Sequence, residues 1–489
     1  MTQWSNVTRP TNHGKDIDLH IAPMLDVSTP EFLTFMRILT KKAVLWTEMI
    51  VDETIVHCNT NDDLDHLLAF TPDLQPIVCQ IGGRNEEYCG QATRIVEKYG
   101  YQEVNLNMGC PSNRVCSSSS SPGKTQCQFG AILMKQPDVA VRIVSAMKSN
   151  LVTEIPISVK TRIGIDEFDT LDNLVELIGK LVNSGCQHFV IHARKCILKG
   201  LTPAQNRIIP PLNYPRVYAL CRIFPDCSFV LNGGIPGLKV ARTLCLGDTF
   251  VHDHDNEKEI THHAVPCCIC NASNGSCTVA PHIAPPNLKG CMLGRAARGN
   301  PAMFADVDRY FYGHDVNPCK NRRDALEAYC DYLERTYPRR CCDNDELVTF
   351  RIPAPNVLNT NGNKIGGCQN CQEFYGSSLS QHNHGGVIVS EASLLPPKGK
   401  VIKMKVKTKM SSRVIDRSLQ PVLGLFFGLP KSKTFRRECH RLNKDESLRN
   451  CGPGFIIRKA MQKMPDEMLD ENFILTEHLN EQMVKMDYY

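Results

Sequence analysis

The 489-residue chain contains no run of about 18 apolar residues, so no membrane-spanning helix is expected. Its first residues, MTQWSNVTRPTNHGKDID, lack the apolar core of a secretory signal and do not make an Arg-rich transit peptide. A cytoplasmic protein is expected, with an organelle address left open. Without a secretory signal, the 24 cysteines read as reduced thiols rather than as a disulfide framework. No glycine fingerprint for a nicotinamide dinucleotide is visible, so a preference between NADPH and NADH is not legible. Negative charge is scarce in one region: between Lys398 and Lys463, 18 Lys and Arg stand against 4 Asp and Glu. The whole chain carries only +5, so the remainder is net acidic. A basic tail of this kind fits a polyphosphate partner bound more weakly as salt rises. A solvated helix face is the plainer alternative.

What is present is a recurring alternation. Apolar residues make up 42% and charged residues 22% of the chain, the ordinary balance of a soluble protein. The length suits one large domain and a smaller one. Eight short β-like runs recur, at 17–25, 43–50, 77–83, 103–110, 157–163, 188–193, 228–234 and 290–297. Helix-compatible stretches such as EEYCGQATRIVEKYG and LDNLVELIGKLVNSG lie between most of them. Strand and helix in alternation imply parallel strands with right-handed crossovers, and eight such units predict a (β/α)8 TIM barrel in the α/β class.

The expected division is an N-terminal extension at 1–16, a barrel at 17–313 and a C-terminal helical domain at 314–489. NRRDALEAYCDYLERTYP and GFIIRKAMQKMP carry the amphipathic pattern of that last part. Three segments break the alternation, at about 116–128, 247–289 and 343–400. They are rich in Ser, Asn, Gly, His and Cys and read as low-complexity loop insertions. Cys267, Cys270 and Cys277, with Cys368 and Cys371, would be the zinc candidates. Composition favours loops, and no metal is expected.

Polar residues gather at the C-terminal ends of the strand-like runs, where a barrel of this kind carries its chemistry. LNGGIPG closes the seventh run and MLGRAARGNP the eighth. Glycines there let backbone N–H groups approach a ligand, the usual phosphate cradle of the fold. Arg295 could add a charged contact to a phosphate. A phosphate held there leaves a ring system over the mouth, where Lys160 and His192 would bracket it. Gln80 could meet a ring edge, and Pro23 and Met24 would give an apolar shelf. A flavin mononucleotide suits that arrangement, because a lysine stabilises the charge that its ring gains on reduction. A surface Lys160 and a core His192 are the alternatives.

Cys110 sits at the end of the fourth run. A buried structural thiol is one reading. A thiol of ordinary pKa, about 8.5, is protonated at neutral pH and can also act as a proton donor. Asn105 and Asn107 precede it on the same strand and, two residues apart, share one face.

The stretches IAPML, VCQIGG, VNLNMGCPS, FGAILM, SVKTRIG, IHARK, QNRIIPPL, LNGGI and GRAARGNP resemble the tRNA-dihydrouridine synthases, nearest the DusA type. The likeness covers most of 17–313 outside the insertions and resumes with PVLGLFFGLPKSKTFRR. It implies FMN as cofactor and NADPH as reductant. Hydride goes from the reduced flavin to C6 of a uracil, and a proton goes from a cysteine to C5. Cys110 matches that cysteine. Pro23, Met24, Gln80, Lys160 and His192 match flavin contacts, as do Asn232, Gly233, Gly234, Gly294 and Arg295. Asn107 and Arg207 match tRNA-contacting positions, and Asn105 is expected to help read the base. Lys433, Arg436 and Arg437 are expected to hold the tRNA, whose D-loop uridine 20 or 20a would be the target. A monomer with no obligate protein partner is expected. The chain departs from the pattern in its serine run and at Ala204, where the family commonly carries a lysine. A tRNA-binding protein without chemistry, or a flavin barrel acting on a small molecule, stand as alternatives.

Overall fold

The computed structural model describes residues 17–112, 129–246, 284–338, 348–350, 402–404 and 411–473. Eight parallel strands run in sequence order around a barrel: β1 (Asp18–Ile21), β2 (Leu45–Val51), β3 (Ile77–Gly82), β4 (Glu103–Met108), β5 (Ile157–Arg162), β6 (His188–His192), β7 (Ser228–Asn232) and β8 (Leu288–Leu293). β1 pairs with β8. A parallel bridge between His20 and Val44 closes the seam to β2, with Ile21 N–H donating to the Val44 carbonyl at 2.9 Å and Val44 N–H to the Leu19 carbonyl at 2.9 Å. The (β/α)8 barrel expected from the alternation is the fold observed.

The crossover helices start where the sequence supplies caps. Thr29 accepts from Phe32 N–H ahead of Pro30–Leu39, Asn85 from Tyr88 N–H ahead of Glu86–Glu97, and Thr170 from Asn173 N–H ahead of Leu171–Asn183. Proline at the first turn of Pro30–Leu39 and of Pro137–Ser149 costs no hydrogen bond, since those N–H groups have no partner within the helix. The buried faces of these helices cover the outer side of the strands. Inside the barrel, Ala22, Val44, Trp46, Val78, Val190 and Met292 form an apolar cluster. Alternation along each strand does the rest: on β4, Val104, Leu106 and Met108 point one way and Glu103, Asn105 and Asn107 the other.

At the N-terminal end of the barrel, buried Arg37 donates to the carbonyls of Thr40, Ala43, Leu74 and Pro76, at 2.9 to 3.1 Å. Desolvation pulls its pKa down to about 10, still far above neutrality, so the staple stays charged. Asp308 accepts from the N–H groups of Lys41 and Lys42 in the same turn.

The chain divides into two compact units. One comprises Met1–Leu326 together with Gln420–Ser432 and Pro465–Tyr489. In it, Arg322 Nε donates to the Leu425 carbonyl at 3.1 Å, and Gly424 lies against Gly299 and Pro301. The other comprises Glu327–Leu419 and Lys433–Met464. There Tyr329 OH donates to the Ser418 carbonyl at 2.8 Å and Arg458 pairs with Asp331 at 2.7 Å. Besides its helices, this unit carries a short antiparallel pair of strands, Val348–Phe350 and Ile402–Met404.

The extension at 1–16, the serine-rich insertion and nearly all of the other two insertions lie outside the described residues, as do the five zinc-candidate cysteines. Among the described residues, no helix is long and apolar enough to cross a membrane, and no group of three or more metal-ligating side chains occurs.

Candidate active site

The end of β4 is shaped by one side chain. Asn107 Oδ1 accepts from the backbone N–H groups of Gly109 (3.1 Å) and Cys110 (3.0 Å), which turns the chain and leaves Cys110 partly exposed at the barrel mouth. The Cys110 carbonyl accepts from Ala131 N–H at 2.9 Å, where the chain returns through buried Phe129 into a short 3-10 turn, Gly130–Lys135. Asn107 Nδ2 donates to Gln80 Oε1 at 2.8 Å, and Gln80 Nε2 to Asn105 Oδ1 at 2.9 Å. Gln80 and Asn107 thus stand side by side on adjacent strands, close to the mouth. Asn105 lies one step deeper. It is wholly buried, with its amide shared between Gln80 and Ser158 (2.7 Å), and has no surface from which to read a base.

Across the mouth, Lys160 of β5 donates to Asn232 Oδ1 of β7 at 3.2 Å. Asn232 Nδ2 in turn donates to the Met292 carbonyl of β8 at 2.8 Å, which fixes the amide orientation. Desolvation first, and the Arg162 charge second, bring the Lys160 ammonium down to about 7. His192, buried at the end of β6, is held well below the usual histidine range by burial and by the charges of Arg162, Lys160, Arg194 and Arg295, so it is neutral at physiological pH. Cys110 lies near enough to interact electrostatically with Lys160, Arg162 and Arg207.

The glycine loops complete the mouth. Gly233 has φ +113°, and a Cβ there would lie 2.4 Å from His192 Cδ2, so backbone and imidazole are in direct apposition. Gly234 has φ +63°. Tyr214 OH donates to the Gly233 carbonyl at 2.7 Å and anchors the loop from outside. After β8, Gly294 precedes the short helix Arg295–Gly299 and packs on Ala22 and Met24 of the β1 end, with Pro23 and Met24 partly exposed. Arg295 Nη2 donates to the Arg207 carbonyl at 3.3 Å, which ties the loop after β8 to the loop after β6. Every residue expected to meet a flavin therefore lies at one end of one barrel, together with Cys110, Asn107 and Arg207.

Residues 20–248 match the family model described as dihydrouridine synthase (Dus). The tRNA-dihydrouridine(20/20a) synthase of Synechocystis sp. is 37% identical over 316 residues, which are 65% of this chain and 78% of that one. The proteins of the same name from Vibrio cholerae (34% over 318 residues, 65% and 80% of the two chains) and Shewanella oneidensis (35% over 325 residues, 66% and 80%) are similar to the same extent. The chain belongs to the dihydrouridine synthase family. Among solved structures, a 2-naphthoyl-CoA reductase complex overlaps 45% of each chain with a TM-score of 0.33 and 8% identity, too slight a likeness to inform the site.

Two features of this dihydrouridine synthase go beyond the residues expected from its sequence: Arg162, and the extension of the basic row by His440 and Lys444. Arg162, at the end of β5, is buried and donates to three backbone carbonyls: Gly109 (2.9 Å), Asn206 (3.0 Å) and Lys195 (3.3 Å). It thereby joins the turn before Cys110 to the loops that carry Arg194 and Arg207. Replacing it with Met leaves three carbonyls without that donor. A loss of about 2–4 kcal/mol in unfolding free energy is expected in a urea titration. A signal existed in SVKTRIG, where Lys160 and Arg162 share one strand face, but charge alone does not say which groups a buried guanidinium will meet.

The second feature is a ridge. In the helix Ser432–Lys444 of the second unit, Phe435, Cys439 and Leu442 are buried. Lys433, Arg436, Arg437, His440 and Lys444 are exposed on the remaining faces. The sequence indicated the first three cations; the helical spacing of 433, 437, 440 and 444 lines four residues into one row.

Proposed function

We propose that this protein reduces a D-loop uridine of tRNA, at position 20 or 20a, to 5,6-dihydrouridine, with FMN in the barrel mouth and NADPH as reductant. The observation that carries the proposal is the convergence at one mouth of Cys110, Lys160 and the Gly233–His192 apposition. The residues present fit a flavin mononucleotide. Gly233 and Gly234, with Gly294 and Arg295, line the ends of β7 and β8, where a Cβ at Gly233 would collide with the His192 ring. Lys160, His192, Asn232 and Gln80 offer polar groups for the ring, and Pro23 and Met24 an apolar shelf. Bound there, the flavin supplies the hydride for C6 of the uracil.

Cys110 supplies the proton for C5. The S–H bond breaks as the C5–H bond forms, and the thiolate regains its proton from water. The C5=C6 double bond is thereby reduced without a further co-reactant. Lys160, as an ammonium, stabilises negative charge on the ring beside it. Asn107 holds the Cys110 backbone, and Arg207 stands exposed at the loop after β6. Bases that are worked on in this way must leave their stack, at a cost of a few kcal/mol. The basic ridge at Lys433, Arg436 and Arg437 would offset part of that cost through phosphate contacts. It also argues against a small-molecule substrate, which needs no such surface.

Two measurements test parts of this reading. Lys160 is depressed in the free protein, and the negative charge of a reduced flavin ring beside it restores its proton. Binding of reduced flavin above pH 7 should therefore take up a proton, and its affinity should rise as the pH falls from about 9 towards about 7, where the free Lys160 titrates. Lys160→Met should flatten that slope; an unchanged slope places the lysine away from the flavin. For the tail, Arg436→Glu with Arg437→Glu should weaken tRNA binding on the order of tenfold or more at low salt. It should also reduce the slope of log K against log salt by about 1.5. A salt slope equal to that of the parent would remove the ridge from the tRNA interface.

A further inference from the structure

A continuous line of hydrogen bonds runs through the barrel from near its N-terminal end to the turn that bears Cys110. Glu103 accepts from Ser158 Oγ. Ser158 Oγ accepts from Asn105 Nδ2 at 2.7 Å, Asn105 Oδ1 from Gln80 Nε2 at 2.9 Å, and Gln80 Oε1 from Asn107 Nδ2 at 2.8 Å. Asn107 Oδ1 accepts from the N–H groups of Gly109 and Cys110. Glu103, Ser158, Asn105, Gln80 and Asn107 are all buried.

The direction of every bond in this line follows from its ends. Backbone N–H groups only donate, so Asn107 must turn its oxygen to them and its nitrogen to Gln80. Gln80 must then present oxygen to Asn107 and nitrogen to Asn105. Asn105 must present oxygen to Gln80 and nitrogen to Ser158. The serine oxygen accepts, and its one hydrogen is left for Glu103. Burial raises the Glu103 carboxyl to about 7; above that pH it is a carboxylate that only accepts, and the foot of the line then imposes the same polarity as its head. None of the three amides can flip alone without setting two donors or two acceptors against each other, at a cost of about 1–3 kcal/mol for each buried mismatch.

We propose that Glu103, Ser158 and Asn105 are positioning residues, which fix the way the Gln80 amide faces the flavin and hold the Cys110 turn through Asn107. None of the three reaches the mouth. The proposal rests on the functional reading above, since it concerns the group that Gln80 meets.

The test compares variants of equal shape. Ser158→Thr keeps the hydroxyl and Ser158→Val lacks it, while both add the same bulk. At the foot, Glu103→Gln can still accept from Ser158 through its carbonyl and Glu103→Leu cannot. In each pair the second variant should bind FMN about tenfold more weakly than the first. Its bound-flavin absorption should be displaced, and the Gly109 and Cys110 amides should exchange with deuterium on the order of tenfold faster. If Val at 158 fails to fold, the Gln–Leu pair at 103 carries the comparison. Equal affinity, equal spectra and equal exchange within the pairs would overturn the proposal. A parent protein that takes up no flavin would instead overturn the functional reading, while the exchange comparison would still decide the role of the line.

Discussion

Cys110→Ala is expected to leave flavin binding and its bleaching by NADPH intact while dihydrouridine formation falls by about 10²–10⁴-fold, the usual contribution of a positioned general acid. The reasoning is local. The turn is held through its backbone, by the Asn107 oxygen on the Gly109 and Cys110 N–H groups and by the Cys110 carbonyl on Ala131. Alanine keeps all of those bonds. What it removes is the sulfur and its proton. The measurement is single-turnover formation of dihydrouridine on unmodified tRNA with flavin reduced beforehand, beside a spectrum of the flavin itself. Full turnover by the alanine variant would end the assignment of Cys110 as acid. Loss of flavin together with turnover would make it a structural residue.

Gly233→Ala should abolish stable flavin binding, with affinity lower on the order of 100-fold or more. Two effects add. Gly233 has φ +113°, a conformation that side-chain-bearing residues rarely adopt, and the new methyl would lie 2.4 Å from Cδ2 and 2.9 Å from Nε2 of His192. His192 is buried at a strand end and has little room to yield. The neighbouring glycines give internal controls. At Gly234, φ is +63°, close to the left-handed region that other residues tolerate, and the methyl meets the end of the Leu212 side chain. At Gly294, φ is −120°, and the nearest atom is Ala22 Cβ at 3.2 Å. Both alanine variants should lose less than Gly233→Ala. Equal losses at the three positions would mean that general loop damage, rather than the apposition with His192, sets the affinity.

The barrel was legible because its physics is local. Each strand lies in a short apolar run, several crossover helices start at a cap or an early proline, and the eight repeats leave little choice of topology. The gathering of Gln80, Cys110, Lys160, His192 and Asn232 at one end follows from that topology alone. Depth along the barrel axis is another matter. Alternation puts Asn105 and Asn107 on the same face of β4, but one step of about 6.8 Å along a strand separates a residue at the mouth from one sealed beneath it. That is why Asn105 read as a base contact and is instead spent between Gln80 and Ser158. Arg162 was hidden for a related reason: its partners are carbonyls of the loops after β4 and β6, and carbonyls carry no sequence signature.

The tail shows a further limit. Amphipathic patterning located its helices without saying which core they join. Gln420–Ser432 and Pro465–Tyr489 belong to the same unit as the barrel, with Arg322 bonded to the Leu425 carbonyl and Gly424 packed on Gly299. Truncation after residue 413 would therefore remove parts of the barrel unit along with the basic ridge. Point charge reversals at Arg436 and Arg437 separate tRNA binding from stability where that truncation does not.

The most direct test of the account is mass spectrometry of an unmodified tRNA transcript after incubation with the protein, FMN and NADPH. The account requires a gain of about two daltons confined to a D-loop uridine, dependent on NADPH and lost in Cys110→Ala. A protein that holds flavin and oxidises NADPH in the presence of tRNA, yet leaves every uridine at its original mass, would contradict it.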